Sequence, residues 1–292
     1  PPRSTRKESS AASDVYKRQD RYDMENQRGV FGVTVFRYIL DKLIYNDSYE
    51  EIDENLTDSN VGARKGRNHR DNLFVLYGVI NSVINGEMDE IDLQLFDVIK
   101  CFDKLWYAET ANDFYQAGVQ DDNFVTVANS NQDCHVAVKT PWGSLTDRQT
   151  INNIEMQGTV ITSLKCSVQM DTIGPECLSR GGDIYKYKNC LPIPPLGMVD
   201  DILAVGYCGS DSLKLNAIIQ SKIATKRLEL GKEKCFQIHV GNETKNCVEL
   251  IVHNDVMKRT SSEKYLGDII SNNGKIDENI EDRVNKGRGR IN

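Results

Sequence analysis

Long apolar runs are the first thing this 292-residue chain lacks. No stretch approaches the roughly eighteen consecutive apolar residues of a membrane-crossing helix, and no apolar signal-peptide core stands near the start. A membrane partner is therefore not expected, and an intracellular, cytoplasmic or nuclear setting is. The eight cysteines, at 101, 134, 166, 177, 190, 208, 235 and 247, include no Cys-x-x-Cys pair. That spacing indicates neither a zinc ribbon nor a disulfide scaffold, and reduced thiols are the default. Internal repeats and low-complexity tracts are absent. Basic charge is not in excess either: 36 Lys and Arg against 43 Asp and Glu leave a formal −7, where a generic nucleic-acid binder shows a basic surface. What is present is a globular composition, 39% hydrophobic and 27% charged, long enough for one large domain or two to three small ones.

Residues 1–19, PPRSTRKESSAASDVYKRQ, carry charges and turn formers without a periodic apolar face, the composition of a disordered tail. They also resemble translated nucleotide reagents. Residues 9–19 match the in-frame translation of a transposase-based sequencing-library adapter, residues 1–5 the flow-cell primer before it, and residues 6–8 the sample barcode between them. The segment is set aside from the fold as non-biological. Without it the chain holds 31 Lys and Arg (36 less 5) and 41 Asp and Glu (43 less 2), a balance of −10. A gene fragment that opens near Asp20 has no initiator methionine, so upstream domains are expected to be missing.

Along the remaining chain, Val33, Phe36, Ile39, Leu40, Leu43 and Ile44 recur at three and four within 30–45, the pattern of an amphipathic helix that the acidic stretch 46–60 should close. A basic patch follows, Arg64, Lys65, Arg67 and Arg70, interrupted by Gly62 and Gly66. It reads either as a solvated loop or, because glycine lets backbone amides approach phosphate, as a triphosphate or nucleic-acid contact. The apolar run 73–84 is helix-like, and 91–96 form a strand that ends at Asp97. Strand and turn patterns recur over 136–138 and 140–147. Gln157-Gly158 open a buried helix with Val160, Ile161, Leu164, Val168, Met170 and Ile173. Strands over 193–199 and 202–207 join across Asp200 and Asp201, before a helix capped by Ser210 or Asp211 with Leu215, Ile218, Ile219, Ile223 and Leu228 on one face. Phe236, Ile238 and Val240 alternate with Gln237 and His239 as a half-buried strand, and Val248, Leu250 and Val252 suggest another. The order is α+β.

Two acidic places carry the chemistry. In Gly197-Met198-Val199-Asp200-Asp201-Ile202-Leu203 adjacent carboxylates interrupt an apolar run, and burying them uncompensated is costly. A hairpin would set both at its tip, where they bind a divalent cation or form a solvated turn. Asp97, followed by Phe102 and Asp103, ends a strand in the same way. Three carboxylates that converge from different segments can hold two Mg²⁺ ions, which prefer oxygen ligands, and a two-metal site serves nucleotidyl transfer.

The ordered set resembles the reverse transcriptase domain of non-long-terminal-repeat retrotransposons, from about residue 26 to the end. Asp97 with Phe102 and Asp103 is similar to the first palm motif, Gln157-Gly158 to the second, and Met198-Val199-Asp200-Asp201 to the aromatic-x-Asp-Asp box, with Met198 in place of the aromatic. Lys234-Cys235 resembles the lysine of the next motif, with Lys232 as a competing alignment, and Lys264-Tyr265-Leu266-Gly267 the primer-grip hairpin. Asn60 to Arg67 with Asp71-Asn72-Leu73 resembles the fingers segment, and Gln27-Arg28-Gly29-Val30 the fingers arginine motif. Thr162-Ser163 stand where the family has Ser-Pro, which puts that loop's geometry in question.

The resemblance implies an α+β fold of fingers and palm, with a ferredoxin-like palm sheet, helices on one face, and a truncated thumb. The implied division is fingers over 20–90, palm over 91–110 and 156–258, an insertion over 111–155, and primer grip with the start of the thumb over 259–292. It implies an RNA-directed DNA polymerase with two Mg²⁺ ions, or Mn²⁺, acting on an RNA template, a DNA primer and deoxynucleoside triphosphates. Asp97 and Asp200 would be the principal metal ligands and Asp201 the supporting carboxylate, with Lys234 the general acid on pyrophosphate. Phe102 would exclude a 2′-hydroxyl, or simply pack in the core. Arg28 foremost, then Arg64, Lys65 and Arg67, would hold the triphosphate, Gln157 and Gly158 would lie near the template and nucleotide, and Lys264, Tyr265, Leu266 and Gly267 would pack the primer end. The rival expectations are an inactive or repurposed retroelement fragment that binds nucleic acid weakly, and a nucleotide-cyclase-like palm. Endonuclease and thumb regions are expected to be missing.

Overall fold

The computed structural model describes residues 32–291, apart from 131, 133, 140–141, 154–158, 181–184, 189 and 242–247. The adapter-like segment, Arg28, Gln157 and Gly158 lie outside the described residues. Among those described, no helix is long and apolar enough to cross a membrane.

A five-stranded sheet organises the chain, in the order β11 (Lys258–Arg259), β8 (Phe236–Val240), β1 (Ile91–Asp97), β7 (Asp201–Tyr207), β6 (Leu196–Met198). β1 is central and antiparallel to both β7 and β8, while β11 adds to β8 in parallel. Helix α6 (Val160–Asp171) lies between β1 and β6 in the chain, and α8 (Ser210–Thr225) between β7 and β8. Strands β1, β6, β7 and β8 with these two crossovers run β-α-β-β-α-β, the ferredoxin-like arrangement.

Side chains alternate across a strand, so β1 feeds two cores. Ile91, Leu93 and Leu95 join Leu203, Val205, Ile238 and Val240 against Leu76, Val79 and Ile80 of α2 (His69–Ile84). Phe96 joins Ile202 and Ala204 against Leu215, Ile219 and Ile223 of α8 and Cys166 and Met170 of α6. The two crossover helices therefore share one face, as the sequence pointed to, and α2, from the segment read as fingers, covers the other. The same closure buries Gln237 and His239, so β8 is not half-buried. Its polar side chains are accommodated because their face carries partners: neighbouring Gln94 donates to Ser212 O and Oγ, both at 2.9 Å, and Gln237 to Val248 O at 3.1 Å.

A third core is helical. Ile44, Tyr45, Tyr49 and Ile52 of α1 (Val35–Asn55) pack with Phe114 of α4 (Tyr107–Gln116), Val127 of α5 (Asp121–Asn129), and Ile161, Leu164 and Val168 of α6. Two expectations fail here. The acidic stretch does not close α1 but continues it to Asn55, and Phe36, Ile39, Leu40 and Leu43 are exposed. The buried stripe, Asp41, Ile44, Tyr45, Ser48, Tyr49 and Ile52, lies on a rotated face and further along the helix, because α6 meets the C-terminal half. At α8 the cap is Gly209, at φ 90 and without a side-chain bond; Ser210 and Asp211 are already helical.

Other helical elements are α3 (Cys101–Lys104), α7 (Ile173–Arg180), α9 (Asp277–Ile291) and a 3₁₀ turn (Lys232–Lys234). Small antiparallel pairs join β2 (His135–Val136) to β3 (Gln149–Thr150), β4 (Lys186–Tyr187) to β5 (Leu191–Pro192), β9 (Ile251–Val252) to β10 (Asp255–Val256), and β12 (Ser262–Tyr265) to β13 (Asp268–Ser271).

Candidate active site

The β6–β7 turn is shifted one residue toward the N-terminus from where its sequence pointed. Met198 pairs with Asp201, which leaves Val199 and Asp200 as the turn. Asp201 is therefore the first residue of β7 and not part of the tip. Across the sheet its partner is Asp97, the last residue of β1. The register thus brings the two acidic motifs, a hundred residues apart in the chain, to one end of the sheet. Val199 holds φ 62, a region in which a β-branched residue is strained.

Partial loss of hydration, then the Asp200 and Asp97 charges, push the Asp201 carboxyl up to about 6, and the Lys234 ammonium opposes them. Asp201 keeps solvent access, so its like-charged neighbours are the component that a bound cation would reverse. The oxygens of Asp97, Asp200 and Asp201 are not all within 4.8 Å of one another. Lys234 stands at the end of its 3₁₀ turn with Nζ 3.4 Å from Asp97 Oδ2. The adjacent Gly231 donates its amide to Asp97 O at 2.8 Å. Three carboxylates with oxygen donors only, partly solvated and electrostatically coupled, fit a hard divalent cation.

The turn is braced from below by residues that sequence reasoning had assigned elsewhere. Ser59 and Val61 bond Gly197 on both sides: Gly197 N donates to Ser59 O at 2.9 Å and Val61 N to Gly197 O at 3.0 Å. The Asn72 amide donates to the same Gly197 oxygen at 3.0 Å, and buried Asn60 donates to Ser167 O at 2.8 Å while accepting from Gly62 N. A Cβ on Gly62 would fall 2.4 Å from Val199 N. Gly62 is thus required by a close approach of two backbones, not by phosphate. The only sequence signal for it was a glycine between apolar and basic residues.

Other expected site residues divide. Phe102, on α3, is half-buried against the α6–α8 core, three residues before fully buried Leu105. Arg64 does not face open solvent: its side chain is 5% exposed and paired to Asp53 at 2.7 Å. It also donates to the carbonyls of Asp53, Thr57 and Asn60. The structure makes it a staple between α1 and the loop that braces the turn. Lys65 is exposed, with its ammonium 4.2 Å from the Tyr49 ring centre. Tyr265 is buried and donates from its hydroxyl to Leu196 O at 3.1 Å, which fixes the β12–β13 hairpin beneath β6. Leu266 and Gly267 form the tip of that hairpin, both at positive φ, and Lys264 is exposed on β12. A cavity of about 410 Å³ beside Glu51, Glu54 and Gly118 reaches none of these residues.

Solved structures carry the comparison further. The described fold is similar to apo telomerase from Candida tropicalis truncated from its C-terminal domain, at TM-score 0.55 and 14% identity, over 81% of this chain and 44% of that one. The fold is reverse-transcriptase-like. It is similar also to C. tropicalis telomerase in complex with a fragment of telomeric RNA, at TM-score 0.55 and 12% identity over 82% and 37% of the two chains. The Candida albicans counterpart gives 0.50 and 14% over 82% and 38%. The chain thus spans less than half the length of these telomerases. No protein-family model matches the sequence, and no curated protein does.

Proposed function

We propose that this chain is the fingers and palm of an RNA-directed DNA polymerase of the non-long-terminal-repeat retrotransposon type. The observation that carries this reading is the register that pairs Asp97 with Asp201 beside the Val199-Asp200 turn, with Lys234 against Asp97. Asp97 and Asp200 would hold Mg²⁺, or Mn²⁺, and Asp201 would support them; bound there, the cations would supply Lewis-acid charge to the attacking and leaving oxygens. The chain's own work is positioning. Phe102 limits space beneath the sugar, and the Gly62 and Asn72 contacts fix the height of the turn. Lys234 Nζ carries the proton that the pyrophosphate oxygen takes as it leaves. Template, primer, deoxynucleotide and the roles of Arg28, Gln157 and Gly158 belong to the same proposal. Likeness to telomerase, an RNA-templated DNA polymerase, supports it at the level of fold.

The test is primer extension on an RNA template with deoxynucleotides and Mg²⁺, wild type against Asp200→Asn. Extension that Asp200→Asn abolishes supports the proposal. Extension untouched by the substitution, or none from a chain that is folded and binds template and primer, contradicts it.

A further inference from the structure

At the opposite end of β1 from Asp97, a second group of polar side chains converges. Glu90 precedes β1, Cys208 follows β7, and His239 lies on β8; one ligand atom from each is within 4.8 Å of the other two. His239 Nδ1 is 3.4 Å from Cys208 Sγ and 3.2 Å from Asp92 Oδ1. Register explains the meeting: Asp92 is the Cα partner of His239 and of Gly206, two residues before Cys208. Asp92 is fully buried, and its Oδ2 has no hydrogen-bond partner among the described residues. A buried carboxylate left so is costly unless a cation or proton compensates it. Gly241, at φ 122, keeps the chain against Glu90, where a Cβ would fall 2.7 Å from the Glu90 Cγ. An open cavity of about 310 Å³, lined by His239, Gly241, Arg259, Thr260, Ser261 and Asn272, gives access from solvent.

We propose that Glu90, Cys208 and His239 bind Zn²⁺ beside the buried Asp92 carboxylate. A thiolate, an imidazole and a carboxylate form a borderline-soft donor set that suits Zn²⁺ and disfavours Mg²⁺, which takes oxygen ligands. Three protein ligands leave the fourth tetrahedral position to water from the cavity. The buried Asp92 carboxylate lies at the same imidazole nitrogen, Nδ1, as the thiol, and its charge is one that a bound cation would compensate. The three ligands come from three separate strand ends, so a scan for closely spaced cysteines passes over them. This site is independent of the polymerase reading.

The experiment uses the full chain, stripped with chelator under reducing conditions and titrated with Zn²⁺ against a chromophoric competitor, with Co²⁺ as spectroscopic probe. One Zn²⁺ per chain and a thiolate-to-cobalt charge-transfer band are expected. Both should be lost in Cys208→Ser and His239→Gln and kept in Asp200→Asn, while Asp92→Asn, which removes the buried charge beside the site, weakens binding. Wild type that binds no Zn²⁺, or Cys208→Ser that binds as tightly, overturns the proposal. Should the variants fail to fold, alkylation of wild-type Cys208 decides: Zn²⁺ should slow it by about tenfold or more with exposed Cys190 unaffected, and an unchanged rate overturns the site.

Discussion

An alanine at position 62 should damage the carboxylate turn without touching a carboxylate. Its Cβ would lie 2.4 Å from Val199 N and 2.6 Å from Ser167 Oγ, and ordinary contact begins near 3.4 Å, so about 1 Å of movement is required. The Ser167 hydroxyl can rotate away, but the Val199 amide is backbone. It belongs to a two-residue turn already at φ 62 and held at Gly197 by Ser59, Val61 and Asn72. Overpacking of this kind costs roughly 1–3 kcal/mol, at about 2–4 °C of Tm per kcal/mol in a large domain. A displacement of about 1 Å at a reacting centre costs on the order of 100-fold in rate. Single-nucleotide incorporation at saturating nucleotide, measured beside thermal unfolding, should therefore fall about 100-fold while Tm drops modestly. Gly66→Ala is the control: it sits at φ 75 with no atom within 4 Å of the added Cβ, so backbone strain should lower Tm and leave the rate alone. A Gly62→Ala chain with wild-type Tm and incorporation would refute the brace.

Other expectations are more local. The Asp201 carboxyl titrates near 6 in the folded chain against an ordinary 3.8, so the folded state retains a proton that the unfolded state has lost between those values. Stability in chelator should fall as pH rises through that window, and Asp201→Asn should flatten the profile; parallel profiles would contradict the coupling. Arg64→Ala should cost about 1.5–3 kcal/mol in urea unfolding through its lost charged hydrogen bonds and leave the KM for nucleotide unchanged; the reverse result would restore it to a phosphate-binding role. The buried Lys226–Asp113 pair makes Lys226→Met expensive, roughly 3–5 kcal/mol, because burial already pushes the Asp113 pKa up and the partner that opposes this is removed. Phe102→Val should raise incorporation of ribonucleotides relative to deoxynucleotides without a large loss of stability, since the ring is only half-buried; unchanged sugar discrimination would make Phe102 a packing residue.

Strands β1, β6, β7 and β8 and the helix α8 were legible because their apolar spacing is set by burial, which local sequence records; the exposed edge strand β11 was not. β1 ends at Asp97, as its pattern indicated. Features that depend on partners were not legible. Nothing in Val199-Asp200-Asp201 says that the two-residue turn is Val199-Asp200 and that Asp201 enters the strand; cross-strand pairing with Met198 and Asp97 decides it. The buried face of α1 was misjudged because the helix is apolar at its start and amphipathic at its end, and only the end meets α6. Arg64 and Gly62 looked like phosphate chemistry because composition cannot distinguish a guanidinium aimed at solvent from one folded back onto Asp53, or a glycine that faces a ligand from one that faces Val199. The Cys208–His239 cluster left no pattern at all, since three strand ends build it.

The most direct test of the central claim is Mn²⁺ binding to the full chain, followed by the loss of free-ion paramagnetic resonance signal. The expected result is binding that Asp97→Asn and Asp200→Asn each weaken strongly and that Cys208→Ser leaves intact. Equal Mn²⁺ binding by wild type, Asp97→Asn and Asp200→Asn would show that the paired carboxylates are not a cation centre, and the polymerase mechanism built on them would fall.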